Sequence, residues 1–594
     1  MILQGIDLTV IAAYFLLTLV IGAWSARRAG RNAGEFFLSG RSMPWWLLGV
    51  SMVATTFSTD TPNLVADITR RDGVAGNWVW WAFLLTGMLT VFVYAALWRR
   101  SGVVTDLEFY ELRYSGRPAA FLRGFRAVYL GLFFNVMVMA AVTLAAIKIG
   151  SVLFGMSPLV TVALAGTMTV AFSAAGGLRS VILTDLVLFG IAMLGSVVAA
   201  WVAVTHPAVG GLKALMAHPN VAGRLDLLPD FDQPDVMIPL FLMPLAVQWW
   251  AAWYPGSEPG GGGYIAQRML AARTEKDAVG ATMFFNAAHY ALRPWPWILV
   301  ALASLVVYPD LESLRQAFPG VDASVMGHDL AYPAMLTFLP AGWLGLVVGS
   351  LAAAYMSTIS THLNWGASYL THDFYRRFVR PEAGDRELVR IGRIATVGLM
   401  MATAVLALRL QNALQAFQIL LQIGAGTGLL FILRWFWWRI SAWSEIAAMA
   451  ISFAVALFFA VTELGLSAWQ ELLIGVVLTT LGWLAATWMT RPTDSETLRR
   501  FVSKVDPGGP GWRRIAESCG EQPEPAQAWP VKAGLLCMGL GSAAIYGFLF
   551  ATGNWLYGRW LPALGWTLVA VTSVIVLIPA WRRLEATGLG RDHG

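Results

Sequence analysis

Residues 54–62 read Ala-Thr-Thr-Phe-Ser-Thr-Asp-Thr-Pro, a hydroxyl-rich segment inside an apolar stretch at 43–68. Pro62 has no N–H to donate to the carbonyl of Ser58, and its ring clashes with that carbonyl. We therefore expect the helix to break in this segment. Within a membrane such a break is tolerated where it lines a cavity, and its carbonyl and hydroxyl oxygens suit a small hard cation. From this segment alone, a proline kink patched by threonine hydroxyls is an equally good interpretation.

The composition around this segment is that of a membrane protein. The chain has 594 residues, of which 57% are hydrophobic and 13% charged, whereas a soluble chain carries about 25% charged residues. Apolar runs of about 20 residues recur, which favours helices over the short alternating strands of a β-barrel. We interpret the net charge of +6 as a positive-inside bias rather than a nucleic-acid surface. These features exclude a soluble enzyme, a disordered chain and a nucleic-acid partner.

The apolar runs predict an all-α polytopic protein with about 15 transmembrane helices. Lys and Arg concentrate in alternate loops, which places the N-terminus outside and the C-terminus in the cytosol. Only the pair Arg70-Arg71 departs from this pattern. The predicted helices lie near residues 6–26, 43–68, 77–98, 124–154, 158–177, 180–205, 236–256, 281–307, 339–372, 391–410, 412–433, 441–464, 468–489, 531–553 and 559–581.

A second interrupted helix is predicted at 236–256, where Gln248-Trp-Trp-Ala-Ala-Trp-Tyr leads into Pro255-Gly256. This helix stands five helices after the one at 43–68. A pair of Gly/Pro-interrupted spans in matching halves indicates a secondary transporter built from inverted repeats. The following run Gly260–Gly263 is expected to be a flexible turn at a helix end. The sequence contains no phosphate-loop motif and no catalytic pair, so we do not expect an enzyme.

The helix at 339–372 concentrates hydroxyl groups in the segment Ala354-Tyr-Met-Ser-Thr-Ile-Ser-Thr361. Ala354, Ser357, Thr358 and Thr361 follow the spacing i, i+3, i+4, i+7 and so share one helix face. Such small residues also permit close helix packing, but we favour a cation site. Asp185, about one turn inside another helix, either supplies a carboxylate to these hydroxyls or caps its own helix.

Two further polar groups lie at membrane depth. Gln411, Gln415, Gln418 and Gln422 form one stripe on the helix at 412–433. Amides offer donors and acceptors to a polyhydroxylated or zwitterionic solute, although interhelical hydrogen bonds explain the stripe equally well. In the helix at 281–307, His289, Tyr290 and Arg293 precede Pro294, and we expect Arg293 to snorkel to the membrane surface.

Several stretches together resemble the sodium:solute symporter family. They are Ser-Gly-Arg-Ser-Met-Pro-Trp at 39–45, Gly-Gly-Leu at 176–178 with Thr-Asp at 184–185, Tyr-Ile-Ala-Gln-Arg-Met-Leu-Ala-Ala-Arg at 264–273, and the run from 354 to Arg-Arg at 376–377. The resemblance implies the leucine-transporter (LeuT) fold, with five plus five helices as inverted repeats. The expected organisation is an N-terminal helix and loop at 1–42, a transport core at 43–440, two helices at 441–489, a cytosolic linker at 490–530, and two helices and a tail at 531–594.

The resemblance also implies sodium ligands. The common sodium site of the family falls on the carbonyls of Ala54, Phe57 and Ala354 and on the hydroxyls of Ser357 and Thr358. A second site, present in some relatives, falls on Asp185, Ser357, Ser360 and Thr361. One or two sodium ions are therefore expected to be coupled to each solute.

The substrate residues of the family match this sequence less directly than the sodium ligands do. Thr61 stands where sugar carriers have a glutamine, Asp60 where they have a neighbouring glutamate, and His289 or Tyr290 near their lysine. With Gln248, Trp249, Gln418 and Gln422, these form the expected substrate site. We expect a sodium symporter for a sugar or polyol, acting as a monomer in the cell (inner or plasma) membrane. An amino-acid or carboxylate symporter, a proton-coupled transporter and a cation channel remain the alternatives.

Overall fold

The computed structural model describes residues 4–29, 38–251, 258–322, 325–410, 421, 424, 426–462, 464–518 and 530–586. This part of the chain is helical apart from its connections and one isolated β-bridge between Met43 and Ala272. Within these described residues, ten helices are long and apolar enough to cross a membrane. The chain is thus a multi-pass helical protein, while the count of 15 and the orientation of the termini stay predictions.

The first half of the chain forms eight main helices. They are α1 (Gly5–Ala29), α2 (Trp45–Thr55), α3 (Asp60–Asp72), α4 (Val74–Ser101), α5 (Glu108–Arg113), α6 (Gly116–Phe154), α7 (Pro158–Thr205) and α8 (Pro234–Ala246).

Within the described residues, the second half forms nine main helices. They are α9 (Gly263–Ala271), α10 (Glu275–Val307), α11 (Trp343–Val379), α12 (Asp385–Ala407), α13 (Ala442–Val461), α14 (Ala468–Met489), α15 (Ser495–Val505), α16 (Pro530–Leu556) and α17 (Trp560–Ala586).

The predicted break near Pro62 is confirmed. Helix α2 ends at Thr55 and α3 begins at Asp60, so the four residues between them are non-helical. Pro62 is the third residue of α3 and lies in its first turn. The N–H groups of a first turn have no acceptor within the helix, so the missing N–H of proline costs no hydrogen bond there. The proline therefore sits just after the break, because the first turn of a new helix accommodates it.

The predicted interruption near residue 248 is also present. Helix α8 ends at Ala246, a short 3-10 turn covers Gln248–Trp250, and α9 begins at Gly263. The expected turn at Pro255-Gly256 lies outside the described residues. Gly260 and Gly261 have φ angles of 86° and 89°, which only glycine adopts readily, and they form the expected turn before α9.

The boundary between the predicted helices at 158–177 and 180–205 differs. The structure assigns one helix, α7, to all 48 residues from Pro158 to Thr205. The two apolar runs predict separate helices, whereas glycines between them, such as Gly176 and Gly177, lower helix propensity without ending a helix.

Helix α11 is the buried centre of the core. Its residues from Leu344 to Ser368 are almost all buried, and it packs against α2, α6, α7 and α12. A buried helix surrounded by others can hold polar side chains only where neighbouring helices supply partners. The hydroxyl groups of α11 are therefore held between helices.

The predicted cytosolic linker contains a docked helix, α15. Its apolar residues Leu498, Phe501, Val502 and Val505 are buried. The ring of Phe501 packs on Trp512 with centroids 5.3 Å apart. This amphipathic helix covers the surface formed by α4 and α5.

Candidate functional site

The break between α2 and α3 places backbone carbonyls in the buried interior. Beyond the end of α2, the N–H of Phe57 donates to the carbonyl of Ala54 at 3.0 Å. The hydroxyl of Thr61 donates to the carbonyl of Thr56 at 3.2 Å. Carbonyls at a helix end need donors or a cation to replace the missing helical N–H groups. The break thus offers several oxygen ligands within a few residues.

The hydroxyl groups of α11 lie directly against this break. Thr358 donates its hydroxyl to the carbonyl of Thr55 at 2.8 Å. The structure therefore joins the two segments that the resemblance assigns to the common sodium site. Uncharged carbonyl and hydroxyl oxygens fit a hard cation, although the ligand set itself stays a prediction. Its five residues are all buried: Ala54, Phe57, Ala354, Ser357 and Thr358.

The second expected sodium set also meets in the structure. Ser357 donates its hydroxyl to Asp185 Oδ1, and Ser51 of α2 donates to Oδ2 at 2.5 Å. Asp185 is completely buried, so it does not cap its helix at the membrane surface. Ser360 is equally buried, and its Oγ has no hydrogen-bond partner among the described atoms.

Arg268 of α9 contacts members of this set, although it was not among the predicted site residues. Its completely buried guanidinium donates to the hydroxyl oxygens of Thr55 and Thr361, both at 3.1 Å, and of Ser51 at 3.2 Å. Its Nη2 lies 3.9 Å from Asp185 Oδ2. The available sequence signal was a single arginine inside an apolar helix, a position where a charge calls for a partner.

Predicted substrate residues of α10 and of the 3-10 turn after α8 gather beside the break. His289 Nδ1 lies 3.2 Å from the hydroxyl oxygen of Thr56. Tyr290 stacks on Trp80 of α4, with ring centroids 6.0 Å apart. Gln248 donates to the carbonyl of Val79 at 2.7 Å, next to that same tryptophan. Helix α4, the turn after α8 and helix α10 thereby meet at one polar region.

The other predicted substrate residues have fewer contacts with the groups beside the break. Asp60 is the first residue of α3 and is partly buried. Trp249 accepts a hydrogen bond from Thr86 through its carbonyl at 2.7 Å. Gln418 and Gln422, like Gln411 and Gln415 of the same stripe, lie outside the described residues.

Asn63 is a further polar residue that the sequence analysis missed. It lies three positions after Asp60 on α3 and is 2% exposed. Among the described atoms, neither its side-chain oxygen nor its nitrogen has a hydrogen-bond partner. A buried amide without partners is costly, so this side chain is a candidate for contact with a polar solute.

The expectation that Arg293 snorkels is wrong. Its side chain is completely buried. The guanidinium donates to the carbonyl of Val53 and to the hydroxyl of Thr56, both at 3.1 Å, and lies over the ring of Trp297. Arg293 reaches into the interior because the end of α2 offers carbonyl and hydroxyl acceptors there.

A buried network of ion pairs lies at the end of the core whose loops are predicted to be cytosolic. Arg126 of α6 pairs with Glu258, and Arg434 lies 3.2 Å from the same carboxylate. Arg434 also lies 3.5 Å from Glu445, which accepts the hydroxyl of Tyr114 at 2.6 Å. These groups are buried, so separating them would expose charges that are now paired.

A second polar network closes the opposite end. Arg70 of α3 donates to the hydroxyl of Ser304 at 2.9 Å and to the carbonyl of Tyr308 at 2.8 Å. Its Nε donates to Nδ1 of His328 at 3.3 Å. Partial burial, with the positive charges of Arg70 and Arg71, lowers the pKa of His328 to about 4. Neutral histidine is therefore the form that accepts this hydrogen bond.

Comparison with known proteins gives one family. The model of the sodium:solute symporter family matches residues 36–451. The sodium/glucose cotransporter of Vibrio parahaemolyticus is 26% identical over 493 residues, which are 80% of this chain and 89% of that protein. The sodium/myo-inositol cotransporter of Mus musculus is 28% identical over 431 residues, covering 66% of this chain and 57% of that protein.

A solved structure shares the fold. The substrate-bound, outward-open structure of a Na⁺-coupled sialic acid symporter superposes with a TM-score of 0.64 at 18% sequence identity. The match covers 83% of this chain and 99% of that one. The predicted fold type therefore agrees with an experimentally determined transporter structure.

Proposed function

This chain belongs to the sodium:solute symporter family, whose members are transporters and not enzymes, and we propose that it imports a sugar or polyol together with sodium. It does so by alternating access in the cell (inner or plasma) membrane. The sodium gradient supplies the driving force, and the chain's own residues couple ion binding to closure of the core.

The observation that supports this function is the contact between Thr358 and the carbonyl of Thr55 at 2.8 Å. It joins α11 to the broken end of α2, so an ion bound between them holds two separate helices together. In alternating access, the ion reaches this place through a core whose two ends open in turn. Solute bound beside the same break then moves in the same cycle as the ion.

The two polar networks give the core its two closures. On the predicted cytosolic side, Glu258 links α6 to Arg434. On the other side, Lys148 of α6 pairs with Asp329 at 2.6 Å. Opening either side separates groups that are partners here, and that cost keeps both sides from opening at once. Binding at the break supplies the free energy difference that favours one side.

A polyhydroxylated solute suits the polar groups beside the break. Asn63 and Gln248 offer amides, Asp60 a carboxylate, and Trp80 with Tyr290 an aromatic wall. Amides donate and accept hydrogen bonds and a carboxylate accepts them, which is the combination that sugar hydroxyls need. The relatives that carry glucose, mannose and myo-inositol point to the same solute class.

The test is uptake by the purified chain in proteoliposomes. Radiolabelled sugars, polyols, amino acids and carboxylates are offered with an inward sodium gradient or with potassium alone. We expect a sugar or polyol to accumulate only with sodium, and a sodium ionophore to abolish accumulation.

Three results would contradict the proposal. Uptake driven by a pH gradient without sodium would establish proton coupling. A steady sodium current without solute would establish a channel. Accumulation of an amino acid or carboxylate, with no uptake of any sugar or polyol, would leave sodium coupling intact and overturn the solute class.

A further inference from the structure

The guanidinium of Arg268 contacts two members of the second expected sodium set. It donates to Thr361, a predicted ligand of that ion, and lies 3.9 Å from Asp185, the carboxylate of the set. Both charged side chains are 0% exposed. The arginine therefore stands where a second cation would find its charge partner.

The hydrogen bonds of Arg268 tie it to two other helices, and an ion pair connects it to a third. It reaches Ser51 and Thr55 on α2, Thr361 on α11 and, at longer range, Asp185 on α7. Hydroxyl oxygens that accept from a guanidinium direct their lone pairs toward it. An ion bound to those same oxygens would face the arginine across a few ångströms without water between them. Two positive charges at that distance in a buried place repel strongly.

Charge balance leads to the same conclusion. Asp185 and Arg268 compensate each other, so this buried region needs no further cation while the arginine is present. Ser357 and Ser51 complete the shell of the carboxylate by donating to its two oxygens. Without Arg268, Asp185 would be a buried negative charge beside the hydroxyl groups of α11, which is a binding site for a small cation.

We propose that Arg268 is a tethered cation that takes the place of the second sodium ion, so that the chain binds one sodium ion per transport cycle. This rests on the proposed function, because it concerns the number of ions used by a sodium symporter. Arg268 is thus a residue that sets the ion stoichiometry. The common site expected on Ala54, Phe57, Ala354, Ser357 and Thr358 then binds the single coupling ion.

The experiment counts bound sodium directly. Equilibrium binding of radioactive sodium to the purified full chain in lipid nanodiscs is measured for the wild type, Arg268→Gln, Arg268→Lys and Arg268→Gln combined with Asp185→Asn. The matched control is Arg273→Gln, which removes an arginine about half exposed, just after the same helix. Size-exclusion chromatography establishes that each variant is folded.

We expect one bound sodium for the wild type, the Arg273 control and Arg268→Lys, which keeps the charge. Arg268→Gln should bind two ions, and its sodium dependence of uptake should become more cooperative, with the Hill coefficient rising from one toward two. The double variant should return to one ion because the freed carboxylate is gone.

Two bound ions in the wild type would overturn the proposal even if no Arg268 variant folds. A folded Arg268→Gln protein that still binds one ion would also overturn it, with sodium symport intact. If the wild type binds no sodium, the proposed function itself fails, and the proposal falls with it.

Discussion

Replacing Thr358 by alanine tests the proposed sodium site most directly. In the structure, the hydroxyl of Thr358 gives its hydrogen to the carbonyl of Thr55 at 2.8 Å. A hydroxyl has one hydrogen and two lone pairs, so this donation leaves the lone pairs for an ion. The hydrogen bond can therefore persist whether the ion is bound or absent.

That geometry sets the size of the effect. Alanine removes the hydrogen bond from both the ion-free and the ion-bound protein, so its loss cancels in the sodium affinity. The ion–oxygen contact exists only in the bound state, and a contact to a charged group contributes roughly 1.5–3 kcal/mol. Sodium affinity should consequently fall about 10- to 150-fold, and the melting temperature should fall in both states.

The assay is the sodium concentration for half-maximal uptake, together with sodium-dependent thermal stabilisation of the purified protein. Thr358→Ser keeps the hydroxyl and should retain affinity within about threefold, or ~0.7 kcal/mol. Ser350→Ala is the matched control, since Ser350 lies two turns away on α11 and donates to Val347 of its own helix. A Thr358→Ala protein with wild-type sodium affinity would refute the reasoning, because the hydroxyl would then contribute nothing to ion binding.

Three further predictions address the solute region, the outer network and the linker helix. Gln248→Leu should raise the KM for solute roughly 5- to 150-fold through loss of an amide partner, or about 1–3 kcal/mol, with sodium affinity unchanged; an unaltered KM would assign Gln248 to packing alone. Because the pKa of His328 is lowered in the folded protein, the unfolded chain takes up a proton at a higher pH than the folded chain does. The stability that this residue contributes above about pH 6.5 is therefore lost as the pH falls toward 4. Between pH 7 and pH 5, the melting temperature should therefore fall less in His328→Gln than in the wild type, with a difference of about 1–2 °C. An equal fall in both proteins would contradict the assignment. Phe501→Ala should lower stability by about 3–5 kcal/mol in denaturant unfolding, while Arg500→Ala on the exposed face of α15 should not; equal, small effects would mean that α15 is not docked.

Much of the fold could be predicted because its strongest signals are local. The break in the first core helix follows from Pro62 and a run of hydroxyl residues, and both act through the backbone of the same few residues. The break lies just before Pro62, since the proline is accommodated in the first turn of α3. Helix α15 also had a local signal, because Leu498, Phe501 and Val505 recur at helical spacing, but the charged residues between them obscured it.

The roles of the arginines could not be predicted in the same way. Snorkelling of Arg293 was a reasonable expectation for a basic residue near a helix end. Its actual partners are the carbonyl of Val53 and the hydroxyl of Thr56, which lie 240 and 237 residues away in sequence. Arg268 likewise bonds to helices distant in the chain. The sequence shows an arginine within an apolar segment, and such a buried charge requires partners. Only the packing of the helices shows which residues those partners are.

The division of the first core helix into α2 and α3 has a consequence for how the protein is made. The two halves have 11 and 13 residues, and each is shorter than the roughly 20 residues that cross a bilayer. While the chain is being synthesised, the carbonyls at their junction face lipid or the insertion machinery without their final donors.

One of those donors, Thr358, follows its acceptor Thr55 by 303 residues. At about 5–20 residues per second, the ribosome needs roughly 15–60 s to reach it. The first core helix must therefore wait in an incomplete state until α11 has been inserted. Chains that terminate before residue 343 should be recognised as unassembled by membrane quality control, whereas chains that extend past α11 should escape it.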